Sequence, residues 1–320
     1  KALPRYCFEG DNFSLWSYID IHGNWTSPWI RSTAGLTDVA HKNGVSVGCL
    51  MSVPDGRTIY LSPWRSDSYS KILYKLTLNQ NGKYVYAEPL VRMMKFYGIN
   101  GIGFNSEFHT SADVMRQLTE FFVACHKEAE KLNWKFEVHW YDGTSDDGQI
   151  HFDGGLGYHN QKIFGDKDNI ATDMLFANYN WGPGHLSASV NTAKRLGRSS
   201  FDYYAGFDIQ GRGLRQASWS ALLDNDISIG FWGAHKQSLI HQSATDNGTS
   251  DIAIQKTYLK KQELMFSGGY NNPGLLPAIN TDCNLANASL KSFHGLATFL
   301  TAKSTIQQVP FVSRFNLGNG

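Results

Sequence analysis

Much that would point to a familiar chemistry is missing from this sequence. Its four cysteines, Cys7, Cys49, Cys125 and Cys283, lie far apart, with no CxxC pair and no histidine at zinc spacing from any of them. Cys49 and Cys125 stand in apolar runs and read as buried thiols. The eleven histidines form no HExxH or comparable pattern, so no metal is expected. No GxGxxG opens a crossover, which argues against a doubly wound open sheet. No apolar stretch reaches the ~18 residues needed to cross a membrane, so no membrane insertion is expected. The opening "KALPRYCFEG" has no signal-peptide pattern. Lys and Arg total 29 against 28 Asp and Glu, a net charge of +1, and no basic run is interleaved with aromatics. Nucleic acid and anionic membranes are thereby excluded as main partners. Repeats and low-complexity segments are absent too. The sequons NWT, NGT and NAS carry meaning only in a eukaryotic secretory pathway.

What remains is a large apolar content. Hydrophobic residues make up 42% of the 320 and charged residues 18%, enough for a sizeable core and too little charge for disorder. The 9 Trp, 15 Tyr and 19 Phe are mostly core candidates, but several sit beside Asn, Asp and Gly at the ends of apolar runs, as in "FANYNW" and "EVHWYDG". There they could stack on the apolar face of a sugar.

Eight apolar runs read as strands: 15–23, 45–53, 99–107, 135–143, 173–181, 202–210, 227–235 and 310–318. Most are continuous rather than alternating, the look of strands covered on both faces of a parallel sheet. Amphipathic helix patterns lie between them at 33–44, 110–133, 185–197 and 250–269, several opening on Thr or Ser and ending on Gly. Strand-then-helix units with no strong linker predict a single (β/α)8 TIM barrel over residues 1–320. The stretch 54–96 is long for one helix, so a loop or small hairpin elaborates the unit after the second strand. Residues 270–308, around Pro273, Pro277 and Cys283, form a second elaboration before the eighth. Further C-terminal domains of a longer native protein are expected beyond "FNLGNG".

The third predicted strand ends "NGIGFNSE", residues 100–107. Alternate side chains share a face, so Asn105 and Glu107 point the same way, with Cβ atoms about 7 Å apart. In a barrel both emerge at the C-terminal mouth, where active sites lie. Ordinary glycoside hydrolysis needs two carboxylates, and here an amide holds the second place. An amide neither attacks an anomeric carbon usefully nor takes a proton, but it can hydrogen-bond an acetamido group. In substrate-assisted hydrolysis the sugar's own 2-acetamido oxygen is the nucleophile. One group must then orient that amide and one acid must protonate the leaving oxygen. Asn105 and Glu107 fit those roles.

"NGIGFNSE" also resembles the DGxDxDxE signature of family 18 chitinases, with Asn100, Gly103 and Asn105 at its acidic positions. The Asn-x-Glu form resembles the family 85 endo-β-N-acetylglucosaminidases. Other stretches are similar to that family in order along the chain. They are "FSLWSYIDI" with "AHKNGVSVGCLMS", "HWYDG" (139–143), "FANYNW" (176–181), "GFDIQGRG" (206–213), and "SFHGLATFL" through "PFVSRFNLGNG". The resemblance implies a retaining enzyme, without cofactor, that cuts the β1,4 bond between the two core GlcNAc residues of N-linked glycans or glycoproteins. Transglycosylation is implied as well. It places Tyr141 in the site against the acetamido group. Candidate sugar contacts are Trp140, Asn178, Trp181, Asp208, Trp232 and Asn316. Trp181 and Trp232 read equally well as stacking platforms or as core, and Asp208 with Gln210 and Arg212 as an ion-pair cluster at the barrel mouth.

The chain departs from the family in two loops. Phe152 and Asp153 stand where family members commonly carry Trp-Gln, and Ser52, Val53 and Pro54 stand where Thr-Glu-Trp is frequent. Both loops would line the glycan, so the departures bear on which glycan is preferred. Two other functions suit a barrel of this kind, a family 18-like chitinase and a catalytically silent glycan-binding module. The aspartate missing at position 105 counts against the first and the intact Glu107 and Tyr141 against the second. The expected setting is a bacterium, with the protein secreted, periplasmic or on the cell surface; a eukaryotic source would make it cytoplasmic.

Overall fold

A computed structural model of the chain describes residues 16–24, 34–52, 69–208, 219–233, 284–285, 288–289, 295–301 and 303. Among the described residues, one sheet holds seven strands in the order β1-β2-β5-β6-β7-β8-β9. They are β1 (Ile21–Asn24), β2 (Ser46–Ser52), β5 (Gly101–Asn105), β6 (Glu137–Tyr141), β7 (Met174–Phe176), β8 (Tyr203–Asp208) and β9 (Ser228–Trp232). The pairs from β1 through β8 are all parallel. Five of the predicted strands thus have a counterpart close to their bounds, and the one predicted at 173–181 is shorter, Met174–Phe176. The first is a correction: Trp16–Tyr18 make a single 3-10 turn, and the strand starts only at Ile21. The predicted strand at 310–318 and helix at 250–269 lie outside the described residues.

Helices follow the strands: α1 (Ala34–Lys42), α2 (Tyr69–Leu76), α3 (Ala87–Tyr97), α4 (Ala112–Lys131), α5 (Gln161–Phe164), α6 (Pro183–Arg195) and α7 (Trp219–Leu223). In α4 the Ser111 hydroxyl caps the first turn by accepting from the Val114 N–H at 3.3 Å. Val114, Leu118, Phe121, Phe122 and Cys125 then recur at helical spacing and are buried. That stripe packs on β5 and β6, where the Phe122 ring lies 5.1 Å from Phe104 and 6.3 Å from Trp140. Each such large side chain stabilises by about 1.5–3 kcal/mol on burial. Cys49 and Cys125 are both buried, as their apolar settings suggest. The elaboration after β2 contains the expected small hairpin, β3 (Asn79–Gln80) with β4 (Lys83–Tyr84). Its turn is Asn81-Gly82 at φ 53° and 81°, the left-handed pair that a two-residue hairpin loop requires. A second short hairpin, β10 (Asn284–Leu285) with β11 (Ala288–Ser289), falls in the later elaboration.

The inner face of β2, β5 and β6 is made of small residues around one histidine. A Cβ on Gly101 would stand 2.2 Å from the His139 ring and one on Gly48 2.9 Å from it, so those glycines make its room. His139 is buried and pairs with Glu137, which also takes Lys135 at 2.6 Å. Burial alone would raise the Glu137 carboxyl, but these two partners hold it down at about 2.

Chain contacts divide the molecule into two units, one of Asp20–Gly206 with Asn225–Ile229, the other of Lys1–Ile19, Phe207–Asp224 and Gly230–Gly320. The second has its own aromatic cluster. Phe207 stacks on Trp219 with ring centres 5.2 Å apart and meets Phe231 at 5.4 Å, and Trp219 meets Phe299 at 5.4 Å. No helix among the described residues is long and apolar enough to cross a membrane.

Candidate active site

The ends of β5 and β6 are neighbours, with Gly103 opposite His139 and Phe104 opposite Trp140. Alternation sends Phe104 and Trp140 outward to α4 and leaves Gly103, Asn105, His139 and Tyr141 on the inner face. Asn105 is half-buried at the end of β5, and Glu107, also half-buried, follows two residues on. The Glu107 N–H donates to the Asn105 carbonyl at 3.0 Å.

Both neighbours of Glu107 are fixed. Ser106 is buried, and its hydroxyl donates to the Tyr141 carbonyl. The Thr144 hydroxyl lies 2.9 Å from the Ser106 carbonyl and 2.6 Å from that of Phe108, and accepts from the Phe108 N–H at 3.1 Å. The turn bearing the acid is thereby stitched to the turn after β6, each bond contributing about 1 kcal/mol. Gly143 sits in the seam. A Cβ there would meet the Ser106 carbonyl oxygen at 2.2 Å, which is backbone and cannot step aside. Gly143→Ala is therefore expected to cost about 1–3 kcal/mol and to lower turnover by parting the two turns. A thermal melt and a rate measurement check it, and an unchanged melting temperature contradicts the seam.

Tyr141 is held at both ends. Its hydroxyl donates to Asn178 Oδ1 at 2.8 Å, Asn178 Nδ2 donates to Asn180 Oδ1 at 3.1 Å, and Asn180 Nδ2 to the Phe152 carbonyl at 2.7 Å. Its ring lies 6.1 Å from Phe152, 6.2 Å from Phe176 and 6.1 Å from Tyr179. Phe152 takes a φ of 51°, left-handed for a residue with a Cβ.

Behind Tyr141 lies a residue to which the sequence reading assigned no role. Asp142 is 1% exposed. Its carboxylate accepts from the Gly154 N–H at 2.6 Å, the Asn160 amide at 3.0 Å and the Asn178 N–H at 3.4 Å. Burial pushes its carboxyl up, against those donors, to about 6. Asp142 thus ties the loop after β6 and the residue that receives the Tyr141 hydroxyl to one anion. An Asp-Gly directly after an inward-facing tyrosine was the available signal.

The predicted sugar contacts divide. Asn178 stands beside Tyr141. Trp140 requires correction: it is wholly buried against Phe104, Phe108 and Phe122, with its N–H on the Thr144 carbonyl at 3.2 Å. Adjacent strand residues face opposite ways, so it cannot share a face with Tyr141. Trp181 is 9% exposed and its N–H donates to the Gly206 carbonyl at 2.8 Å, the core alternative of its two readings. Asp208 closes β8 and Trp232 closes β9, both half-buried. Asn316, Gln210 and Arg212 lie outside the described residues.

The family model of Glycosyl hydrolase family 85 matches residues 6–320. The chain belongs to that family. Two curated relatives are the cytosolic endo-β-N-acetylglucosaminidases of Gallus gallus, 27% identical, and Homo sapiens, 25% identical, each over 206 residues. Those matches take in 63% of this chain and 25% of each relative, so the chain spans about a quarter of their length. The glycoside hydrolase domain of Endo-D from Streptococcus pneumoniae superposes over 93% of this chain and 43% of that one, with a TM-score of 0.72 at 22% identity. That likeness shows the fold, an α/β (β/α)8 barrel.

Proposed function

We propose that this family 85 barrel is an endo-β-N-acetylglucosaminidase that cuts the GlcNAc-β1,4-GlcNAc core of N-linked glycans with retention. The observation that carries the reading is Asn105 closing β5, one carboxylate, Glu107, two residues beyond it, and Tyr141 ending the adjacent strand. Both relatives compared above bear the name of this activity.

In the first step Asn105 orients the 2-acetamido group of the sugar on the non-reducing side, so that its carbonyl oxygen attacks C1. The C1–O bond to the departing GlcNAc breaks as Glu107 delivers its proton to that oxygen. The product is an oxazoline or oxazolinium. Tyr141, with its hydroxyl anchored on Asn178, borders the acetamido group. In the second step Glu107 takes a proton from water, which opens the ring at C1 and restores the starting anomeric configuration. A sugar hydroxyl in place of water gives transglycosylation. None of these steps calls for a cofactor.

Mass spectrometry of high-mannose, core and complex N-glycopeptides tests the reading. The expected product is a peptide that keeps a single GlcNAc. Glycopeptides retained by the protein but left intact would replace the enzyme with a binding barrel, and cleavage of chitin oligomers alone would replace it with a chitinase.

A further inference from the structure

The loop between β6 and α5 carries a side-chain cluster that the proposed reaction does not use. His151, Asp153 and His159 each bring one ligand atom within 4.8 Å of the others. His159 Nδ1 already lies 3.1 and 3.2 Å from the two Asp153 oxygens. The His151 and His159 rings stack with centres 4.3 Å apart and planes 19° from parallel. We propose that His151, Asp153 and His159 form a binding site for a divalent transition-metal ion, with zinc the best match.

Two imidazoles and a carboxylate are the donors of three-ligand zinc sites, and hard cations such as calcium prefer oxygen alone. Tetrahedral zinc with bonds of ~2 Å sets its ligands about 3.3 Å apart. The Asp153–His159 pair stands near that separation already, and His151 has only to close on it. All three can move, their side chains being 31%, 28% and 43% exposed for His151, Asp153 and His159. Behind His151, Asp147 Oδ2 lies 2.9 Å from its Nε2 and can orient the ring, as carboxylates behind metal-bound histidines do.

The backbone beneath the cluster is fixed rather than floppy. Asp142 receives the Gly154 N–H and the Asn160 amide, the Asn160 amide also donates to the Gly155 carbonyl at 2.8 Å, and the Gly157 N–H returns to Asn160 Oδ1 at 2.9 Å. The segment from 153 to 160 is thus folded back so that His159 reaches Asp153. The spacing His-x-Asp followed six residues later by His belongs to a turn, not a helix, so a search for helical metal motifs passes over it. An ion here would clip together the loop that lays Phe152 against Tyr141.

Isothermal titration of zinc chloride into the full chain at neutral pH, with melting temperatures taken alongside, tests the site. About one zinc per chain is expected, with a higher melting temperature when zinc is present. His151→Ala and His159→Ala should each weaken binding by more than about tenfold and abolish the thermal shift, while both variants still melt cooperatively without zinc. Isotherms that superpose for wild type and variants would place the binding elsewhere among the eleven histidines and overturn the site. A wild-type chain giving neither heat nor shift would overturn it equally.

Discussion

Glu107→Gln should lower cleavage of an N-glycopeptide by about 100- to 10,000-fold, the range that a general acid–base group supplies, with little change in melting temperature. Glutamine fills the same volume and keeps a hydrogen-bonding oxygen, so substrate can still bind. It has no proton acidic enough to pass to a departing sugar oxygen, and it cannot take one from water. The loss should depend on the leaving group. A GlcNAc conjugate with an acidic phenol as leaving group needs no proton, so the first step should recover with it while the alkyl glycoside stays slow. Equal loss for both leaving groups would move the acid role to another residue. Glu107 is half-buried, and the backbone on either side of it is tied down through Ser106 and Phe108.

Asp142→Ala should destabilise the fold by about 2–4 kcal/mol at neutral pH, since it strands the Gly154 N–H, the Asn160 amide and the Asn178 N–H in a buried place. The pH dependence follows from the sign of its shift. Unfolded, the carboxyl titrates near an ordinary ~4; folded, burial lifts it to about 6. The folded chain then holds the proton more tightly. The stability that this shift adds is full below about pH 4 and is lost as pH rises through about 6, while the hydrogen bonds to its three donors remain at neutral pH. Above that the carboxylate is charged, the form its three donors match. Asp146, also lifted to about 6 by burial, adds to the same slope. Urea denaturation across pH 4 to 7 should therefore show a shallower slope in Asp142→Ala than in wild type, with the shares of Asp146 and of Asp202, whose carboxyl burial also raises, remaining. A variant as stable as wild type at pH 7 would contradict the anchoring role.

The Asn105–Glu107 pair was legible because the two stand only two residues apart at the end of one apolar run. The strand itself is shorter than that run: β5 ends at Asn105, and Glu107 lies just beyond it. The Ser111 cap, the amphipathic body of α4 and the Asn81-Gly82 turn are local signals of the same kind. Trp140 shows the opposite case: alternation excluded it from the face of Tyr141, and a motif match outweighed that rule. The roles of Asn180 and Thr144 were not legible, since they depend on partners 28 and 38 residues away in sequence. Nor was the His151–Asp153–His159 cluster, which exists only once the loop is folded back on Asp142. Strand 173–181 was read too long because Ala177, Tyr179 and Trp181 continue its apolar pattern beyond Phe176, where β7 ends.

In the proposed reaction the substrate's own acetamido oxygen attacks C1, with Asn105 in the place of a second carboxylate. Rates on synthetic substrates carrying acetyl, fluoroacetyl, difluoroacetyl and trifluoroacetyl groups at that nitrogen test it most directly. Each fluorine draws electron density from the attacking oxygen, so the rate should fall steeply across the series while binding changes little. A rate that stays level from acetyl to trifluoroacetyl would mean that a group on the protein, or water, attacks C1 instead.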